Sequence, residues 1–320
     1  MIVHPCVTVL SDSFSRTDLF CVVYCLVDDW MKKRFGSSNA PRGHRGPRPD
    51  EFADSEVLTV LLVQELCHCP RERAWLRQVR GSYHELFPAL PEDSRFWRRA
   101  LVVRELLRTL RADILLWADA DLEPVRILDS FPMPLCACYR IHQSSQPISG
   151  AGFARNSSKR MYYYGLHPLL VITASGYIDD IFLAPAHFHD RMLTAAYIDE
   201  CAEQGRGIWG QDWIGDKGFL CRQLSETMAS LHDVFLLARR RDYDKDMEPP
   251  FWQQMLDKIR KPIEGVVGFL TACMGIEHML VRSDHGLYRR VQAKATAFSL
   301  ARYLNQILSL APMNIARYAV

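Results

Sequence analysis

The chain has 320 residues, with 39 Lys and Arg against 37 Asp and Glu, a formal net charge of +2. A composition of 48% hydrophobic and 24% charged residues is that of a globular protein and excludes disordered and collagen-like chains. The apolar run 19–27 is shorter than the about 20 residues that span a bilayer, and residues 1–10 lack the features of a secretion signal, so we expect a cytoplasmic protein with no membrane partner.

The first part of the chain is predicted to be helical because its apolar residues recur every three or four positions. Predicted helices cover about 18–33, 51–66 and 95–116. Residues 37–50 combine Ser, Pro, Gly and Arg, which is typical of a loop. The sequence therefore predicts an all-helical region over 1–118.

Positive charge is concentrated in this helical region. From Lys32 to Arg111 there are 16 Lys and Arg against 10 Asp and Glu, an excess of 16 − 10 = 6, and the stretches 239–261 and 282–294 are also basic. Such an excess favours a surface for a polyanion such as DNA, and a solvated helical surface is the ordinary alternative. The residues whose spacing best suits one DNA-binding helix face are Arg71, Arg73, Arg77 and Arg80.

The pattern changes to strands after residue 119. Short β-type runs are predicted at 125–128, 162–174, 177–184, 207–214 and 234–238, and Ser175-Gly176 indicates a hairpin between the second and third runs. Helices are predicted at 190–203 with Asp190 as N-cap, and at 220–231, 251–268 and 292–310. This order predicts a second domain over 119–320 of the α/β class, a mixed sheet flanked by helices.

Three carboxylates follow elements of this domain. Asp129 follows the first predicted strand, Asp216 the fourth, and Glu264 lies in the helix after the fifth. A turn cap, a loop residue and a helical ion pair with Arg260 are their ordinary structural interpretations. Carboxylates at the ends of neighbouring elements can also converge, and they supply the oxygen ligands that Mg²⁺ prefers, with Mn²⁺ as a substitute.

Five sequence blocks in this order resemble those of bacterial insertion-sequence transposases of the DDE type. They are ILDSFPMP at 127–134, YYGLH at 163–167, PAHFHD at 185–190, GDKGF at 215–219 and RKPIE at 260–264. The resemblance runs from about residue 50 to the end. The chain departs from many relatives in having Asp257 and Thr271 where a Tyr and a Lys are usual.

The resemblance implies a ribonuclease H-like fold in which Asp129, Asp216 and Glu264 are the catalytic, metal-binding triad. It implies an enzyme that cleaves insertion-sequence ends and transfers the 3′-OH to target DNA by two-metal chemistry. Its partners would be the terminal repeats and target DNA, with a homo-oligomer assembled on DNA in the nucleoid. Arg260 would orient Glu264 or hold a phosphate, and Lys217 would also bind DNA.

Three other interpretations remain. A metal-dependent hydrolase is suggested by His187, His189 and Asp190, because His-x-His places two imidazoles on one side of an extended segment. A DNA-binding relative without catalytic activity is the second. Zinc at Cys67-His68-Cys69 or Cys136-Ala137-Cys138 is the third, although these spacings are shorter than those of zinc knuckles and reduced, buried cysteines are expected instead.

Overall fold

The computed structural model describes residues 14–41, 52–137, 148–156, 160–238, 249–279, 281 and 283–319. These residues belong to two compact units: a helical unit of Met1–Ala118, Cys273–Gly275 and Leu280–Val320, and a sheet unit of Asp119–Ala272 and Ile276–Met279. The first segment of the helical unit ends after residue 118, where the sequence predicts a domain boundary. The sequence prediction placed residues 280–320 in the catalytic domain, whereas the described residues of this range belong to the helical unit.

The helical unit contains six α-helices within the described residues. They are α1 (Arg16–Phe35), α2 (Asp54–Leu66), α3 (Glu72–Ser82), α4 (Asp93–Val102), α5 (Arg104–Trp117) and α9 (Asp284–Ile307). Helices α6 to α8 belong to the sheet unit. A capping box of Ser15 and Asp18 begins α1, and Gly36 ends it with φ of +70°. The helix predicted over 95–116 is divided at Val103 into α4 and α5. No described helix is long and apolar enough to cross a membrane.

Helix α9 is the centre of the helical unit, which explains why the C-terminal residues belong there. Every residue from Arg289 to Asn305 is buried, and α9 packs against α2, α4 and α5. A helix buried on all sides must satisfy its polar groups internally. Lys294 Nζ contacts the Glu65 carboxylate and donates to the Met274 carbonyl at 2.6 Å, while Arg290 Nη2 donates to Glu65 at 3.3 Å.

Replacing Glu65 by Gln is expected to destabilise the helical unit strongly. Glu65, Arg290 and Lys294 have side chains only 2–3% exposed. The substitution removes the carboxylate that pairs with buried Lys294 and leaves buried Arg290 with Glu72 alone, at 3.8 Å. Removing one partner of a buried ion pair costs about 3–5 kcal/mol. Urea unfolding measures the change against the exposed control Glu85→Gln, and a loss below about 1 kcal/mol would contradict the importance of this ion pair.

The main sheet of the second unit has five strands in the order β6-β5-β1-β7-β8. They are β1 (Val125–Ser130), β5 (Leu169–Thr173), β6 (Ile178–Phe182), β7 (Asp212–Gly215) and β8 (Phe235–Ala238), joined by α6 (Asp190–Glu203), α7 (Arg222–His232) and α8 (Pro250–Ala272). β1, β5 and β6 pair antiparallel, whereas β7 and β8 continue parallel to β1. This arrangement confirms the predicted α/β class, a mixed sheet with flanking helices.

A second sheet of three strands was not predicted. Its order is β2-β4-β3, from β2 (Met133–Ala137), β3 (Gly152–Asn156) and β4 (Met161–Leu166). The run predicted as one strand over 162–174 is divided between β4 and β5 at His167-Pro168 because proline donates no ladder hydrogen bond. Gly165 is required by the close strand contact, since a Cβ there would lie 2.3 Å from the Met133 carbonyl oxygen.

The two faces of the main sheet are covered by different helices. Leu128 of β1 and Trp213 of β7 belong to an apolar cluster with residues of α6 and α7. Helix α8 packs against β1 and β7. Because alternate side chains of a strand project to opposite faces, Asp129 lies on the face opposite Leu128, and Ser130 lies on the same face as Leu128.

Candidate active site and arginine groove

Asp129 and Asp216 lie at the same edge of the main sheet. β1 and β7 are parallel neighbours, with Ile127 opposite Ile214, and each aspartate lies at the carboxyl end of its strand. Asp129 accepts a hydrogen bond from the Ser130 N–H at 2.9 Å, and Asp216 accepts one from the Lys217 N–H at 2.6 Å. The strand order therefore brings together two carboxylates that are distant in the sequence.

The electrostatics of Asp129 set it apart from an ordinary surface aspartate. Burial raises its pKa to about 6, and the negative charges of Asp216 and Asp190 act in the same direction. The Ser130 N–H and the charge of Arg260 lower the pKa but do not offset the burial. Part of the Asp129 population is therefore protonated near neutral pH, and a nearby cation would favour its charged form.

Replacing Asp129 by Asn is expected to stabilise the protein without divalent metal. The pKa of the Asp129 carboxyl is about 6 in the folded state against 3.8 as its ordinary value. The folded state therefore loses stability as the pH rises from about 4 through 6, because the buried carboxyl must give up its proton. The neutral amide avoids the loss, which amounts to at most about 3 kcal/mol for two pKa units.

Calorimetry at pH 8 and pH 4 in the presence of a chelator tests this expectation. The melting temperature of the Asn variant should exceed that of the wild type at pH 8 by several degrees, at about 2–4 °C per kcal/mol, and the difference should vanish at pH 4. Asp199→Asn, an exposed position on α6, is the control. A gain that is equal at both pH values would contradict the assignment to Asp129.

Arg260 of α8 faces this carboxylate pair. Its Nη1 lies 3.8 Å from Asp216 Oδ1, and its side chain is only 15% exposed. Its Nε is buried without a hydrogen-bond partner among the described residues. The guanidinium thus partly neutralises the pair and keeps one donor available for another acceptor.

Glu264 is placed differently from the two aspartates. It is exposed on α8, one turn beyond Arg260. Within the described ranges, no three His, Cys, Asp or Glu side chains are close enough to hold a metal ion together. The pair Asp129 and Asp216 nevertheless fits a divalent cation, since both are hard oxygen donors and the buried Asp129 carboxyl lies within the electrostatic influence of Asp216.

The candidate metal cluster of His187, His189 and Asp190 does not form. His187 and His189 are exposed, and the His187 ring lies against Gly152, where a Cβ would meet Nδ1 at 2.5 Å. Asp190 instead accepts a hydrogen bond from Ser130 Oγ at 2.6 Å. The predicted capping role of Asp190 is also wrong, because His189 is the N-cap residue and Asp190 begins the helix.

Three of the four predicted DNA-binding arginines share one exposed face of α3. Arg73, Arg77 and Arg80 are exposed and line a groove of about 460 Å³ with Asp93, Ser94 and Trp97, here called the arginine groove. Arg71 precedes α3 in extended conformation and lines an adjoining cavity of about 510 Å³, which shares Arg73 and Trp97 with the groove. Part of the hydrogen-bonding capacity of Arg80 is used within the protein, since its Nη1 donates to Asp93 Oδ1 at 3.2 Å.

The described cations Arg289, Arg290 and Lys294 of the basic stretch 282–294 are engaged inside the helical unit, and Arg282 lies outside the described residues. Arg289 contacts Glu72, and its guanidinium lies 4.7 Å from the centre of the Trp97 ring. Arg290 and Lys294 are buried with Glu65. Sequence reasoning missed this because a charge count does not show buried partners. Arg239 to Arg241 lie outside the described residues.

Zinc binding by the cysteine motifs has no support among the residues that the structure describes. Burial raises the pKa of Cys67 to about 11, and its thiol lies 3.9 Å from the Tyr318 carbonyl. Cys69 and Cys136 are not in disulfides, and no metal-binding group among the described residues includes them. Cys138 lies outside the described residues. Reduced structural cysteines are the interpretation that these contacts favour.

Comparison with known proteins identifies the sheet unit. A cryo-EM structure of the piggyBac transposase synaptic complex with hairpin DNA is similar at a TM-score of 0.44 and 9% identity, covering 96% of this chain and 79% of that chain. The Mos1 transposase paired-end complex with the left transposon end gives 0.22 and 10%, over 78% and 85%. No curated protein matches the chain. The family model described as Transposase DDE domain matches residues 119–284, more than half of the chain, which therefore belongs to the DDE transposase family.

Proposed function

We propose that the protein is a DNA transposase that cleaves the ends of its insertion sequence and joins the freed 3′-OH to target DNA. The observation that carries this proposal is the meeting of Asp129 and Asp216 at one sheet edge within the matched domain. Phosphodiester cleavage requires stabilisation of negative charge on the reacting oxygens. A pair of carboxylates that favours a cation is suited to that requirement.

Asp129 and Asp216 would hold Mg²⁺, or Mn²⁺ in its place, with Glu264 as the proposed third carboxylate. The bound ions would stabilise charge on phosphodiester oxygens and make a water or 3′-OH a better nucleophile. Arg260 limits the repulsion between the two aspartates and keeps its Nε available to a phosphate oxygen. Lys217 is exposed beside Asp216 and is suited to hold the DNA backbone.

The arginine groove is the proposed binding surface for the terminal repeats. Exposed guanidinium groups on one helix face can contact the phosphate backbone and give a salt-dependent affinity. An insertion sequence has two ends to be cleaved, and we propose that a homo-oligomer forms on DNA to hold them.

Cleavage of DNA carrying the flanks of the gene tests the function. The full chain with Mg²⁺ or Mn²⁺ should nick these ends, and a chelator selective for zinc should have no effect because the proposed ligands are oxygens. Scrambled flanks are the control. Binding without cleavage would identify a DNA-binding relative that lacks activity, and stoichiometric zinc lost together with activity would favour a hydrolase using His187 and His189.

A further inference from the structure

The Asp190 side chain contacts both Ser130, which follows Asp129, and Gly218, which lies in the turn after Asp216. Ser130 directly follows Asp129, and its Oγ donates to Asp190 Oδ1 at 2.6 Å. Gly218 lies in the short 3₁₀ helix Lys217–Phe219 that Asp216 caps. A Cβ at Gly218 would lie only 2.1 Å from Asp190 Oδ2, so this oxygen lies directly against the glycine backbone.

The side from which Asp190 approaches determines what it can do. Ser130 and Asp129 project to opposite faces of the sheet because they are successive strand residues. Asp190 reaches Ser130 from α6, on the Leu128 face, whereas Asp129 lies on the face against which α8 packs. Asp190 therefore contacts the end of the Asp129 strand at Ser130 and the turn after Asp216 at Gly218.

We propose that Asp190 is a positioning residue that fixes the separation of the Asp129 and Asp216 carboxylates. This inference rests on the proposed function and adds a residue outside the Asp, Asp and Glu set. One carboxylate held between the ends of β1 and β7 restrains both strand ends at once. Outer residues of this kind set the geometry of metal-binding carboxylates, and their loss costs about 10–100-fold in metal affinity or activity.

A set of variants separates positioning from direct metal binding. Asp190→Asn keeps an acceptor for Ser130 and should stay within about threefold of the wild type, whereas Asp190→Ala and Ser130→Ala should lose about 10–100-fold in Mn²⁺ affinity and in cleavage. Asp199→Asn on the same helix is the control for charge. Calorimetric Mn²⁺ titration of the full chain measures affinity independently of catalysis, and thermal melting shows that each variant is folded.

Gly218→Ala gives a second, independent test. The added methyl group collides with Asp190 and should reproduce the loss seen in Asp190→Ala. The collision is absent when Gly218→Ala and Asp190→Ala are combined. The loss of Mn²⁺ affinity in this double variant should not exceed that of Asp190→Ala alone, since the two substitutions act through one contact. Additive losses would overturn the proposed contact.

Other results of the Mn²⁺ titration and the cleavage assay would overturn the positioning role of Asp190 or the proposed function. Equal losses in Asp190→Asn and Asp190→Ala would show that the charge itself is needed and overturn positioning in favour of direct ligation. Wild-type affinity in Asp190→Ala and Ser130→Ala would show that Asp190 has no role. Mn²⁺ binding by the wild type without any DNA cleavage would overturn the proposed function alone, and absence of Mn²⁺ binding would overturn both.

Discussion

Replacing Asp129 or Asp216 by Asn is expected to abolish DNA strand cleavage while binding of the insertion-sequence ends survives. The amide keeps the shape of the carboxylate but lacks the charge that attracts a hard divalent cation. Loss of that electrostatic stabilisation is worth several kcal/mol in the transition state, or about 10³-fold or more in rate. Single-turnover cleavage of labelled end DNA gives the rate, and a mobility shift gives the affinity.

Glu264→Gln extends this prediction to the proposed third carboxylate. We expect the same loss of cleavage, even though Glu264 is exposed and separate from the two aspartates. Asp199→Asn should retain full activity as the control. Full activity of Glu264→Gln alone would move the third ligand elsewhere, with Glu277, the nearest glutamate along the chain, as the candidate. Retained cleavage in both Asn variants would refute the assignment of the pair.

Replacing Arg71, Arg73, Arg77 and Arg80 together by Gln is expected to weaken end binding and flatten its dependence on salt. Each phosphate contact that is lost removes about one unit from the slope of log affinity against log salt concentration, so the total is up to about four. Arg73 and Arg77 should contribute most, because Arg80 already pairs with Asp93. Fluorescence anisotropy over a range of salt concentrations measures the slope.

The salt-dependence experiment needs a control arginine outside the arginine groove and the full-length chain. Arg98→Gln changes an exposed arginine of α4 that does not line the arginine groove, and it should leave the slope unchanged. The full chain is needed because α9, at the other end of the sequence, completes the packing of α2 and α5. An unchanged slope in the fourfold variant would show that these arginines only solvate the surface.

The pairing of Asp129 with Asp216 follows from local sequence and a general rule of topology. β-type runs ending in aspartate are visible in the sequence, and parallel strands place their carboxyl ends at one edge. The second sheet was missed because β2 carries Pro134 in a segment that resembles a turn, and its pairing with β4 joins residues distant in sequence. Tertiary pairing of this kind leaves no periodic signal.

Burial of charge was equally invisible to local patterns. Arg289, Arg290 and Lys294 have the spacing of a basic surface, yet Glu65 and Glu72 neutralise them inside the helical unit. The contact between Asp190 and Ser130 also joins distant residues, 60 positions apart. Sequence alone could identify Asp190 as part of a motif, but only the approach of α6 to β1 shows its partner.

The central position of α9 has a consequence for biosynthesis. Helices α2 and α5 leave the ribosome long before the helix that fills their common core, because the whole of the sheet unit is translated between Trp117 and α9. At about 5–20 residues per second, the interval before Lys294 is made is about 10–35 s. A nascent chain that stops inside α9 therefore contains both aspartates in a unit whose own strands are complete, together with a helical unit that cannot close its core.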